Sequence, residues 1–212
     1  VQDHPALGIW YIWDEPKSVH LPELRELNKL VKAASKIPTA LVMNERADYW
    51  DTRGASDIWM LDNYPVRGED FPTAPLGWHS RGMRNACAGY NYRGTPFMAV
   101  MQACDFSCFK SNIKDPARLA KLRFPNAAEM RFMIFSDLCY GVRGMWFFSL
   151  SHCHLERPAG REFFDAVLKP GIADLKAFLA VVPDVWDVTV RDSKKIDAPN
   201  KVSFAFFKRA SG

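Results

Sequence analysis

The sequence predicts an α/β protein built on a parallel sheet, and three observations carry that prediction. Short, nearly continuous apolar runs recur along the chain, as strands buried on both faces require. Stretches with helical spacing separate them, and strands alternating with helices imply right-handed βαβ units. Polar residues gather where each apolar run ends: Asp14-Glu15, Asn44-Glu45, Asp62-Asn63-Tyr64, Gln102, and Ser149-Ser151-His152. In open and closed α/β sheets that edge faces the ligand, so five clusters on one edge read as one wall of a site.

The first strand is expected over residues 8–13 and stops on Asp14-Glu15-Pro16. Pro16 cannot extend the pairing and pushes Glu15 toward an extended conformation. A carboxyl at this tip, beside Trp10 and Trp13, is expected to lose hydration and hold its proton nearer neutral pH. A plain turn would use the same residue types. A helix follows: Pro22 suits its first turn, Leu24, Leu27, Leu30, Val31 and Ala34 share one face, and Pro38 ends it.

Strands are expected at 39–43 and 57–61, with helical residues at 47–50 between them. A loop over 66–75, rich in Gly and Pro, leads to a helix at 78–90. The fourth strand spans 96–103, and a long loop runs from Asp105 to Pro125 with a helical turn at 116–121. A loop of that length commonly serves a ligand site. The helix Asn126–Tyr140 opens on a capping box, Asn126 with Glu129, and closes at Gly141. The fifth strand covers 143–150. The last helical region, 161–182, is expected to break at Pro170-Gly171. Two β-rich segments, 186–191 and 201–208, close the chain as an expected hairpin. The domain reading is therefore 1–183 for the α/β part and 184–212 for a β-rich tail.

The 212 residues, 48% hydrophobic and 25% charged, have a globular composition. The net charge of +4 is spread along the chain, which gives no reason to expect nucleic acid. No apolar run approaches the ~20 residues of a membrane span, so no membrane partner is expected. Five cysteines, Cys87, Cys104, Cys108, Cys139 and Cys153, do not form a disulfide framework. Cys104 and Cys108 make a lone C-x3-C, and His152 and His154 share one side of a strand-like segment. Neither has the ligand set of a metal site, so neither a metal nor a cofactor is expected.

Trp10-Tyr11-Ile12-Trp13-Asp14-Glu15-Pro16, residues 57–65, residues 96–103 and residues 141–148 together resemble the TIM-barrel glycoside hydrolases of the clan whose acid/base Glu ends strand four. The resemblance implies a partial (β/α)8 TIM barrel, strands four to eight, with strands one to three absent and the tail opening an accessory β domain. It implies that Glu15 is the general acid/base, that the partner is a carbohydrate, and that the parent protein is secreted or periplasmic. Val1 then begins mid-protein, and exposed sheet edges suit a homo-oligomer.

The chain departs from this clan where a Glu is expected to end strand seven, because Gln102 stands near that point. Glutamine cannot form a glycosyl ester. Asp62 and Asp105 are the candidates for a second carboxylate, which should lie ~5 Å from the first in a retaining enzyme and ~6.5–9.5 Å in an inverting one. Trp13, Trp78 and Trp146 are candidate sugar platforms, although Trp is more often core. Asp14, Asn44, Tyr64 and Gln102 are candidate hydroxyl ligands, and Asn44 and Tyr64 could instead satisfy buried backbone at strand ends. Two functions follow: a glycosidase cleaving O-glycosidic bonds of an oligo- or polysaccharide, or a non-catalytic carbohydrate-binding barrel without a second carboxylate. A complete doubly wound fold ranks below both, since no Gly-rich phosphate loop follows the first strand.

Overall fold

The computed structural model describes residues 4–44, 54–67, 75–91, 95–181, 188–192 and 203–207. Five strands form one parallel sheet in sequential order: β1 Trp10–Asp14, β2 Thr39–Met43, β3 Ile58–Asn63, β4 Phe97–Gln102 and β5 Met145–Phe148. Helices α1 Leu21–Ala34, α2 Pro75–Asn91 and α4 Ala127–Cys139 occupy the crossovers, with a short α3 at Pro116–Leu119. This is a partial α/β barrel, an open arc of parallel strands backed by helices. Tyr11 on one edge strand and Trp146 on the other have ring centroids 6.2 Å apart, so side chains of the two outermost strands meet across the concave face.

Two apolar clusters show which way each strand faces. Leu41, Met43, Trp59, Leu61, Phe97, Ala99 and Met101 pack with Leu24, Met83, Met130, Met133 and Ile134 in the helix layer. Ala40, Val42, Met60 and Val100 pack on the concave side. The strands bury both faces, which is why their sequences are apolar runs rather than alternating ones.

Local chemistry fixes the helix ends and spacings. Asn126 caps α4: its Oδ1 accepts from the Glu129 N–H, and Glu129 Oε2 accepts from the Asn126 N–H, both at 2.9 Å. Arg123 grips the same carboxylate with two guanidinium nitrogens at 2.7 and 2.8 Å. Between α2 and α4, His79 and Asp137 form a pair almost closed to solvent, Nε2 to Oδ1 2.9 Å.

The expected break at Pro170-Gly171 is corrected. Helix α5 Pro158–Phe163 runs through a π-helical turn, Phe164–Leu168, into α6 Lys169–Val181. The wider turn lies just ahead of Pro170, where a missing N–H and a bulky ring must be accommodated. Gly171 serves packing instead: a Cβ there would sit 3.2–3.3 Å from Met130 and Ile134 side-chain atoms.

In the tail, β6 Val188–Asp192 and β7 Ser203–Phe207 pair antiparallel as the expected hairpin. The expected helical residues 47–50 and Glu45 lie outside the described residues. No helix among the described residues is long and apolar enough to cross a membrane.

Candidate active site

Strand β1 decides what reaches the concave face. Its pairing with β2 steps from Tyr11↔Ala40 to Trp13↔Leu41, so Ile12 is an extra residue in the strand. The bulge places Tyr11 and Asp14 in phase with Ala40 and Val42 on the concave side. Their contact confirms it: the Tyr11 hydroxyl donates to Asp14 Oδ1 at 2.6 Å. Trp10 and Trp13 fall on the helix side. Trp10 Nε1 donates to Ser35 Oγ at 3.0 Å, while Trp13 packs against the helix-layer core and lies 5.5 Å from the His20 ring. Trp13 is therefore a packing residue rather than the sugar platform expected from sequence, and the indoles are not what surrounds the carboxyls.

Glu15 adopts a left-handed backbone, φ +47, while its N–H still donates to Val42 O at 3.0 Å. A non-glycine residue there costs roughly 1–3 kcal/mol. The turn leaves Glu15 and Asp14 exposed at the mouth of the groove, with Pro16 buried behind them. Glu15 makes a carboxyl-to-carboxyl hydrogen bond with Asp62. Burial, that contact, and the charges of Glu15 and Asp14 push Asp62 up to about 8. Two carboxyls in hydrogen-bond contact must share a proton, so Asp62 donates to Glu15 near neutral pH. The other oxygen, Asp62 Oδ1, is buried with no partner among the described residues.

Two phenols flank this pair. Tyr11 is held far above its ordinary range by burial and by its hydrogen bond to Asp14. Tyr64 is raised by burial first and then by the charge of Asp62. Both therefore stay protonated, as neutral hydroxyl groups beside an acidic cluster. Tyr64 stacks on Phe148 at 5.4 Å and lies 6.2–6.3 Å from Phe106 and Phe109. His152 extends that wall, 4.8 Å from Phe148, and its Nδ1 is 2.6 Å from Ser149 Oγ.

The other candidates separate. Asn44 is exposed immediately after β2, one step beyond the Met43↔Leu61 pair and so level with Asp62. Trp146 is exposed on the concave side, facing Tyr11. The Trp78 side chain lies outside the described residues. Gln102 is fully buried. Its Oε1 accepts from the Val66 N–H at 2.8 Å, and its Nε2 donates to Val66 O at 2.6 Å and Cys104 O at 3.0 Å. That amide is a backbone clamp, which corrects its expected place among the hydroxyl ligands. Asp105 Oδ1 accepts from the Ser107 N–H at 2.9 Å, a turn contact. The charges acting on Asp62 are those of Glu15 and Asp14, whereas Asp105 acts on Cys104 and Cys108.

Sequence reasoning missed Tyr11 and Phe148 as site residues, and it had His152 only as part of a polar cluster at the sheet edge. Strict alternation puts Tyr11 and Asp14 on opposite faces, and nothing in the sequence announces the bulge. Phe148 was within reach, because it is two residues beyond Trp146 on the same strand face. Among the described residues, no group of three or more His, Cys, Asp or Glu side chains is arranged to hold a metal ion.

No family model and no curated protein matches this chain. Several solved structures are similar to part of this chain, and they are glycoside hydrolases. A β-glucuronidase from Ruminococcus gnavus is 10% identical over 69% of this chain and 26% of its own, TM-score 0.45. A β-glucuronidase from Lactobacillus rhamnosus is 14% identical over 70% of this chain and 26% of its own, TM-score 0.48. An endo-β-1,4-mannanase from Thermotoga petrophila is 10% identical over 69% and 36%, TM-score 0.48. The chain thus spans about a quarter to a third of the structures it matches. At these values the likeness carries no argument about chemistry, and the parallel arc itself defines the class, a partial α/β barrel.

Proposed function

We propose that this chain carries the acid/base half of a glycosidase site acting on O-glycosidic bonds of an oligo- or polysaccharide. The observation that carries the reading is the Glu15–Asp62 contact at the C-terminal mouth of the sheet, with Asp62 pushed up to about 8. Such a pair keeps one proton available at neutral pH, as a general acid requires. Glu15 is the exposed member and would meet the leaving oxygen. The shared proton must shift from Asp62 to Glu15, which then delivers it to the leaving oxygen and leaves Asp62 as the carboxylate. Asp14, Asn44, Tyr64 and Trp146 line the same face as candidate sugar contacts.

The contact is also a constraint. Hydrogen-bonded carboxyls are closer than the ~5 Å of a retaining pair, so Asp62 stands with Glu15 and not across the sugar from it. The second carboxylate is Asp105 or lies outside this chain. The clamped Gln102 favours a second reading, a carbohydrate-binding barrel without hydrolysis.

The test uses the full chain with aryl glycosides of several sugars and calorimetric binding of the matching oligosaccharides. On the first reading Glu15→Gln lowers turnover by at least ~10²-fold while binding survives. Asp105→Asn identifies the second carboxylate if it matches that loss. Binding by both wild type and Glu15→Gln, with hydrolysis by neither, supports the second reading. Absence of both binding and hydrolysis across the panel rejects both.

A further inference from the structure

The C-x3-C pair, which the proposed chemistry does not use, is brought together by the fold. Cys104 is buried immediately after β4, and its carbonyl is fixed by Gln102 Nε2 at 3.0 Å. The chain then reverses. Asp105 Oδ1 accepts from Ser107 N at 2.9 Å, Phe106 turns left-handed at φ +67, and Phe109 N–H donates to Phe106 O at 2.9 Å. This turn, opening the 3-10 segment Ser107–Asn112, brings Cys108 back toward Cys104, near enough that each thiol acts on the other's ionisation. Both thiols are free, and Cys108 is only half-buried. An external reagent can therefore reach one sulfur of a pair whose other sulfur is sealed beneath it.

We propose that Cys104 and Cys108 are a redox modification site, a dithiol that closes to an intramolecular disulfide by exchange with a low-molecular-weight disulfide such as oxidised glutathione. Cys108 attacks first, as its thiolate. One sulfur–sulfur bond of the reagent breaks, a mixed disulfide forms at Cys108, and one glutathione thiol leaves. Cys104 then gives up its proton and displaces the second glutathione. Two protein thiols are oxidised to one disulfide, and one external disulfide is reduced to two thiols. The site is independent of the glycosidase reading, but it adjoins the same wall. Phe106, inside the closed loop, lies against Tyr64 at 6.2 Å, and Phe109 follows directly after it.

Burial raises both thiols, so exchange is slow near neutral pH and quickens as pH rises. The test incubates the full chain in glutathione redox buffers, quenches with acid, alkylates the remaining thiols and maps the peptides by mass spectrometry. The expected product is a Cys104–Cys108 link, two hydrogens lighter than the reduced chain. Its ratio to the dithiol is expected to be at least ~10-fold higher in the folded chain than in concentrated urea at the same poise, a difference of ~30 mV. Cys104→Ser should stop at the mixed disulfide on Cys108, while Cys153→Ser should close normally. A stable glutathione adduct at Cys108 in the wild type overturns the proposal. So does a link to Cys87, Cys139 or Cys153, or a closure ratio no higher than in urea.

Discussion

Replacing Asp62 by asparagine should make the fold more stable, and increasingly so as pH rises. Asp62 ordinarily ionises near 3.8, and in the folded chain burial and the Glu15 contact push it up to about 8. Between those values the folded chain holds a proton that the unfolded chain has released. Unfolding free energy then falls by ~1.4 kcal/mol per pH unit through the window, and levels off above it. The sign follows from the raised carboxyl: stability is greatest below pH 4 and is lost as pH climbs to 8. Integrated over the window the loss approaches ~6 kcal/mol, and solvent in an open groove reduces it to roughly 2–4 kcal/mol. The substituted side chain would carry no charge, and its amide can donate to Glu15 as the protonated acid does. Urea unfolding followed by tryptophan fluorescence, from about pH 5 to 9, measures both chains. With slopes of ~1–3 kcal/mol/M, the wild-type midpoint should fall by about 1–2 M relative to the variant by pH 8. Parallel curves would refute the shared proton. A variant that loses ground as pH rises would mean that Asp62 is ionised and favourably paired.

Two further outcomes follow from the packing. Gln102→Glu places a carboxylate where the resemblance expects one, but it leaves Val66 O and Cys104 O without donors. It should cost ~3 kcal/mol or more by urea titration and restore no hydrolysis; a stable variant with new activity would remove the clamp role. Gly160→Ala drives a Cβ into the backbone carbonyls of Cys153 and His154, whereas Gly144→Ala meets only the flexible end of Met98. The first should cost ~3 kcal/mol or more and the second ~1.5 kcal/mol or less; equal melting temperatures would contradict that geometry.

The sheet was legible because its signals are local and redundant. Each apolar run is bounded by proline, glycine or carboxylates, and doubly buried strands tolerate no polar interruption. Asn126 with Glu129 announced the start of α4 because capping is a contact between near neighbours. Pro170-Gly171 misled for the complementary reason. Proline signals a local penalty, but the π-turn and the close approach of Gly171 to Met130 are solutions supplied by the rest of the helix and its neighbour.

The site was legible as positions but not as roles, and the bulge at Ile12 explains much of the gap. Period-two counting from Asp14 selects Ile12 and Trp10 as its face-mates. The inserted residue exchanges them for Tyr11, so the aromatic neighbour of the carboxyls is a phenol that hydrogen-bonds Asp14 and not an indole that desolvates it. The predicted elevated carboxyl does exist, but on β3. Asp62 sits deeper in the arc, beside Glu15, whose own backbone turns left-handed at the strand end. Neither the insertion nor the turn has a sequence signature: Ile is ordinary in a strand, and Glu is disfavoured at positive φ. Both belong to the way β1 pairs with β2, Tyr11 with Ala40, Trp13 with Leu41 and the Glu15 N–H with Val42 O, and no reading of either segment alone contains that pairing.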